Sequence, residues 1–156
     1  MQRITRFTTG CLTAALMLAL ALVSAEAAST IKIKVDDQPI TSYDISQRAT
    51  LLKLFGMGGG TKEAQDELID ETIKFIEAAK QGVNIPEGRV DAAIAQISER
   101  AKMSPDQLKK ALASQGVQID TLRRRIKAQM TWEALVERRT RMAGTSVKSS
   151  DITAAL

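Results

Sequence analysis

Polar and apolar positions alternate at the start of the readable pattern and then change period. In "TIKIKVDDQPIT" (residues 30–41), Ile31, Ile33 and Val35 alternate with Lys32 and Lys34. Period two predicts a half-buried strand. "DDQ" is turn-prone, and Pro39 and Ile40 form a short returning arm in which Pro39 fits only at an edge. A small β-hairpin is therefore expected. From residue 42 the period becomes helical. Ser42 or Asp44 serves as the cap, with Gln47 three residues after Asp44. Ile45, Ala49 and Leu52 form a stripe that Leu51, Leu54 and Phe55 widen. "GMGGG" (56–60) ends this helix and makes a loop.

The next helix puts Leu68, Ile69, Thr72, Phe75, Ile76 and Ala79 on one face. Acidic residues crowd its first half, Lys80 lies near its end, and Gly82 is placed to stop it. Pro86 takes a first helical position, followed by a stripe of Val90, Ala93, Ile94, Ile97 and Ala101. "SPDQ" is a capping box, with Ser104 as N-cap, Pro105 at N1 and Gln107 at N3. The short helix behind it turns Leu108, Ala111 and Leu112 inward and stops at Gly116. Asp120 caps the longest helix, expected over about 121–142. Its first half buries a narrow stripe of Leu122, Ile126 and Met130. From 128 to 136, Met130, Trp132, Ala134, Leu135 and Val136 spread around most of the circumference, so this half needs neighbours on many sides. Residues 143–146 read as a linker, and Ser149 or Ser150 caps a helix start cut after one turn. The fold class is mainly α, a small domain of about five helices preceded by a short N-terminal β-hairpin.

The first residues stand outside that domain. Arg3 and Arg6 precede an apolar run at 12–23, too short to span a bilayer, and Ala25 and Ala27 then give an Ala-x-Ala site. This predicts a signal peptide over 1–27, cleaved near Ala27, and no stable membrane insertion afterwards. Cleavage removes Arg3, Arg6 and Glu26, taking the formal charge from +4 to +3. It also removes Cys11, the chain's one cysteine, so an apolar core and not crosslinks must hold the fold.

Candidate chemistry is sparse. The chain has no histidine, which with the missing mature cysteine excludes most metal sites and nucleophile–base pairs. The glycine cluster follows a helix and lacks Lys-Ser/Thr in register, so it is no phosphate loop, and no cofactor is expected. Glu67, Asp70 and Glu71 read as a solvated polar face. "RRRIK" raises nucleic acid, but Arg123, Arg124 and Arg125 point in different directions around a helix and only Trp132 is near to stack on bases. No nucleic-acid partner is expected; a solvated face or an acidic partner is. Met57, Met103, Met130 and Met142, with Phe55 and Trp132, suit an adaptable peptide-binding surface.

"KVDDQPITSYDISQR", "GVNIPEGRVDAAIAQI", "KMSPDQLKKALASQGV" and "LRRRIKAQMTWEAL", in that order, resemble SurA-type periplasmic chaperones over about 31–142. The resemblance implies an ATP-independent chaperone domain over 28–142 that binds unfolded outer-membrane proteins crossing the periplasm. That family usually continues into parvulin-type prolyl isomerase domains and a C-terminal segment that packs back on the N-terminal domain. No residues for a parvulin block are present here, so isomerase activity is not carried over. An alternative is part of a prolyl isomerase whose catalytic domain is missing. Another is an assembly fragment completed by the missing C-terminal segment or by a second copy of the chain. The candidate client-contact residues are Leu51, Leu52, Phe55, Met57, Met130, Trp132 and Leu135.

Overall fold

A computed structural model describes residues 29–144. The expected signal segment and the helix start near Ser149 lie outside them. The described chain runs β1 (Ile31–Val35), β2 (Gln38–Thr41), α1 (Ser42–Leu54), α2 (Thr61–Lys80), α3 (Glu87–Arg100), α4 (Pro105–Ser114) and α5 (Ile119–Gly144). The hairpin and five helices are those that the periodicity predicts. The two strands are antiparallel, with Ile33 opposite Ile40 and Val35 opposite Gln38, and the register shifts between Ile31 and Ile33. Asp36 makes the turn at φ 52°, a left-handed conformation that aspartate tolerates better than most residues.

Two apolar clusters hold the helices. Ile40 of β2, Ile45 and Leu52 of α1, and Ala64 and Leu68 of α2 form the first. Leu51 of α1 joins the second with Ile85, Val90, Ile94, Leu108, Leu112, Val117 and Leu122. Helix α1 thus touches both, with the neighbouring Leu51 and Leu52 each joining a different cluster. Gln47 of α1 adds a polar tie: its Nε2 donates to the Gly116 carbonyl at 2.7 Å and its Oε1 accepts from the Gln118 amide at 2.7 Å. That satisfies backbone groups at the α4–α5 corner, which burial would otherwise leave costly.

Helices α1 to α4 all end the same way. At each, the second residue past the cap donates to the carbonyl five residues back, and the residue before it makes the shorter companion bond. The longer bonds are Met57 to Leu52, Val83 to Ala78, Met103 to Ser98 and Val117 to Leu112, each 2.8–3.0 Å. The pivot residue must have positive φ, and it is Gly56, Gly82 and Gly116 in three cases but Lys102 (φ 56°) in α3. Gly82 and Gly116 were legible as stops for this reason.

Several local details differ from the sequence expectation. The α1 cap is Thr41, not Ser42 or Asp44; Asp44 is the third helical residue, and its carboxylate accepts from the Thr41 amide at 2.9 Å. Pro86 is the N-cap of α3 with extended ψ of 140°, so Glu87 and not Pro86 opens that helix. The box at Ser104 is as expected, with Gln107 returning a 2.7 Å bond to the cap amide. Leu54 and Phe55, placed on the widened stripe, are exposed, because they fall past the point where α1 meets its neighbours. Near the end of α2 Ala78 is buried and Ala79 is exposed, and on α4 Ala111 is exposed. Helix α5 begins earlier than expected, at Ile119, and continues through residue 144.

Candidate functional site

The helices are registered by a charged seam between the two apolar clusters. Arg48 of α1 is only 1% exposed, and Glu71 of α2 only 3%. Arg48 Nη2 donates to Glu71 Oε2 at 2.7 Å, and Nη1 donates to Glu67 Oε2 at 3.1 Å. From α5, Arg124 Nε reaches Glu71 Oε1 at 2.6 Å, and its Nη2 reaches the Thr72 hydroxyl at 3.2 Å. Arg125 Nε reaches Glu67 Oε2 at 3.2 Å. Three helices are therefore joined through two carboxylates. A buried carboxylate is tolerable only with such partners. The solvated-face reading of Glu71 is thereby corrected: it lies inside, because Arg48 and Arg124 both meet it.

The basic run on α5 is spent in the same way. Arg123 pairs with Asp91 and, at 2.9 Å, with Glu87; Lys127 also meets Glu87, at 2.5 Å. Carboxylates of α2 and α3 in the same chain thus pair with "RRRIK". Side-chain hydrogen bonds from Lys127, then from Arg123, hold the Glu87 carboxyl below its ordinary value.

Beside the seam, α2 and α5 leave a cleft of about 490 Å³. Arg48, Glu71, Lys74, Arg125, Met130 and Glu133 are among the residues that line it. Apolar side chains gather at its margins through shared neighbours. Arg125 Nη2 touches Met57 Sδ at 3.4 Å, which ties the glycine loop to the cleft. Lys74, paired with Asp70 at 2.5 Å, places its Nζ 5.7 Å from the Trp132 ring. Trp132, Leu135 and Val136 line a smaller recess of about 50 Å³ on α5. Trp132 is 48% exposed, Val136 44%, Met57 43% and Phe55 40%.

The seven residues singled out from sequence fall into two groups. Phe55 and Met57 in the loop, Met130 in the cleft wall and Trp132 beyond it have surface to offer. Leu51, Leu52 and Leu135 do not: they are 0%, 1% and 5% exposed. Leu51 and Leu52 fill the two cores, and Leu135 sits beneath the half-exposed α5 face. Arg48 and Glu71 were missed, as were Lys74 and the exposed Leu54. A signal did exist for the first two. Arg48 is three residues after Ile45 and four before Leu52, and Glu71 is three after Leu68 and four before Phe75, so each charge sits on an apolar stripe.

Among the described residues no group of His, Cys, Asp or Glu is placed to hold a metal ion, and no helix is long and apolar enough to cross a membrane. Fold and surface define a small helical domain, led by a hairpin, with apolar side chains collected along a charged cleft. Residues 61–136 match the SurA N-terminal domain, and over that stretch the chain resembles the SurA family. Similar curated proteins are each called Chaperone SurA. That of Saccharophagus degradans is 31% identical over 134 residues, covering 75% of this chain and 31% of the relative. That of Pectobacterium atrosepticum is 27% identical over 125 residues, covering 74% and 29%. That of Vibrio vulnificus is 29% identical over 122 residues, covering 70% and 28%. The chain thus spans under a third of the length of these relatives.

Proposed function

We propose that the domain from about residue 28 to 142 is an ATP-independent chaperone module that acts in the periplasm. It would shield apolar segments of unfolded outer-membrane proteins by burying them, with no bond made or broken. The observation that carries this reading is a set of half-exposed apolar side chains: Phe55 and Met57 after α1, with Met57 tied to the α2–α5 cleft through Arg125, and Trp132 and Val136 at the smaller recess on α5. Methionine and aromatic side chains adapt to varied partners at low cost. The match of residues 61–136 to the SurA N-terminal domain supports the chaperone class. The Ala-x-Ala pattern after the apolar run supports export.

The test is aggregation of a urea-unfolded outer-membrane barrel protein on dilution. Suppression at near-equimolar chain is expected, and none at several-fold excess refutes the reading. A protease-coupled proline-peptide assay of these 156 residues is expected to give only the uncatalysed rate, since they include no histidine to supply that chemistry.

A second reading has its own observation. Trp132 and Val136 lie half-exposed on the last helix, where a further C-terminal segment or a second copy of the chain would find apolar surface to cover. In that case melting depends on protein concentration or on added segment; a concentration-independent Tm removes the second-copy form.

A further inference from the structure

The loop between α1 and α2 holds a thioether that is both open to solvent and fixed in place. Met57 is 43% exposed. Its backbone is not free, because its amide closes the α1 terminus on Leu52 at 2.9 Å. Two residues on, Gly59 is packed so tightly that a Cβ there would lie 2.6 Å from the Ala49 carbonyl. The Met57 sulfur rests 3.4 Å from Arg125 Nη2. Arg125 is itself held by Glu67, through Nε at 3.2 Å and Nη2 at 3.4 Å.

A thioether is a weak acceptor for a guanidinium; a sulfoxide oxygen is a strong one. We propose that Met57 is a site of reversible oxidation whose sulfoxide stays docked on Arg125. The oxidant class is a peroxide. The sulfur lone pair attacks one peroxide oxygen, an S–O bond forms and the O–O bond breaks. The sulfur loses two electrons, and the departing hydroxide takes the proton of the new S–OH group, leaving the sulfoxide and water. A methionine sulfoxide reductase reverses the change.

Ordinarily such oxidation disrupts a core, because a polar group replaces an apolar one. Met57 is outside both cores and already faces a donor, so the new oxygen gains a charged partner without being buried. The stability change therefore has the opposite sign from that expected at half-buried Met130. One consequence rests on the client-binding reading: at the cleft margin an apolar contact becomes a polar one. The docking itself does not depend on that reading.

The test treats the full chain with dilute hydrogen peroxide and follows each methionine by peptide mass spectrometry. Met57 is expected to convert about as fast as exposed Met103 and faster than Met130. Thermal melts are then compared for the chain and for Met57→Leu after the same treatment, so that the difference isolates Met57. That difference is expected to be zero or positive in Tm, and to turn negative in an Arg125→Leu background. The proposal is overturned if Met57 stays reduced while Met130 oxidises. It is equally overturned by a Met57-specific fall in Tm in the native background, or by a change that is the same with and without Arg125.

Discussion

Replacing Glu71 by leucine removes the one carboxylate that Arg48 and Arg124 share. Arg48, 1% exposed, would keep only Glu67 at 3.1 Å. Its Nε already has no hydrogen-bond partner and is fully buried, so the guanidinium is underserved even before the change. Stranding a buried charge in this way costs about 3–5 kcal/mol. Arg48→Met should cost less, because Glu71 retains Arg124 at 2.6 Å, and Arg124 is 39% exposed and able to bring solvent with it. The double variant Arg48→Met/Glu71→Leu replaces the pair with apolar groups and removes the orphaned Nε. Exchanging a whole buried pair for apolar side chains is often neutral or stabilising, so the double variant should be more stable than Glu71→Leu alone. The assay is urea unfolding followed by circular dichroism. At an m-value of about 1.5 kcal/mol/M the single Glu71 change lowers the midpoint by about 2–3 M. The reasoning fails if Glu71→Leu shifts the midpoint by less than ~0.5 M, or if the two single effects simply add.

Four further outcomes follow, three from backbone geometry and one from charge. Gly59→Ala puts a Cβ 2.3 Å from Lys53 Cγ and 2.6 Å from the Ala49 carbonyl at φ 118°, and should cost about 2–3 kcal/mol in a thermal melt. Gly58→Ala, with open space around it, should cost about 1 kcal/mol for its backbone conformation alone. Lys102→Gly relieves the left-handed residue at the end of α3 (φ 56°) and should stabilise by up to about 1 kcal/mol, read as a higher Tm. Glu87, held low by Lys127 and Arg123, binds its proton less readily when folded than its ordinary value of 4.5 implies. Its contribution is therefore present above that value and is lost as pH falls through the lower folded value. Glu87→Gln should lower the neutral plateau of a midpoint-versus-pH curve slightly, since these groups are exposed, and flatten its acid limb, with the two proteins converging at low pH.

Much of the fold was legible because it is written locally. A helix stop needs a residue that accepts positive φ, and Gly82 and Gly116 announce one; the box at Ser104 is complete within four residues. Lys102 does the same task without the glycine that would have revealed it. The site was less legible because its parts are distant in sequence. Whether Glu71 is solvated or buried is decided by Arg48, 23 residues before it, and Arg124, 53 after it. Periodicity places a carboxylate on a face but does not say which partner the face will meet. The same limit explains the leucines: Leu51 and Leu52 were grouped with Phe55 as one broad apolar stripe. Only the packing of α1 between two clusters separates the buried pair from the exposed ring.

Trp132 is the chain's one tryptophan and stands half-exposed beside Val136, so its fluorescence reports directly on the surface assigned to clients. The decisive measurement titrates the folded chain with an unfolded, tryptophan-free outer-membrane barrel protein while recording that emission. A saturable blue shift is expected, weaker in a Phe55→Ser/Val136→Ser variant of unchanged Tm. An emission spectrum that does not move at several-fold excess of client, with client aggregation undiminished, contradicts it.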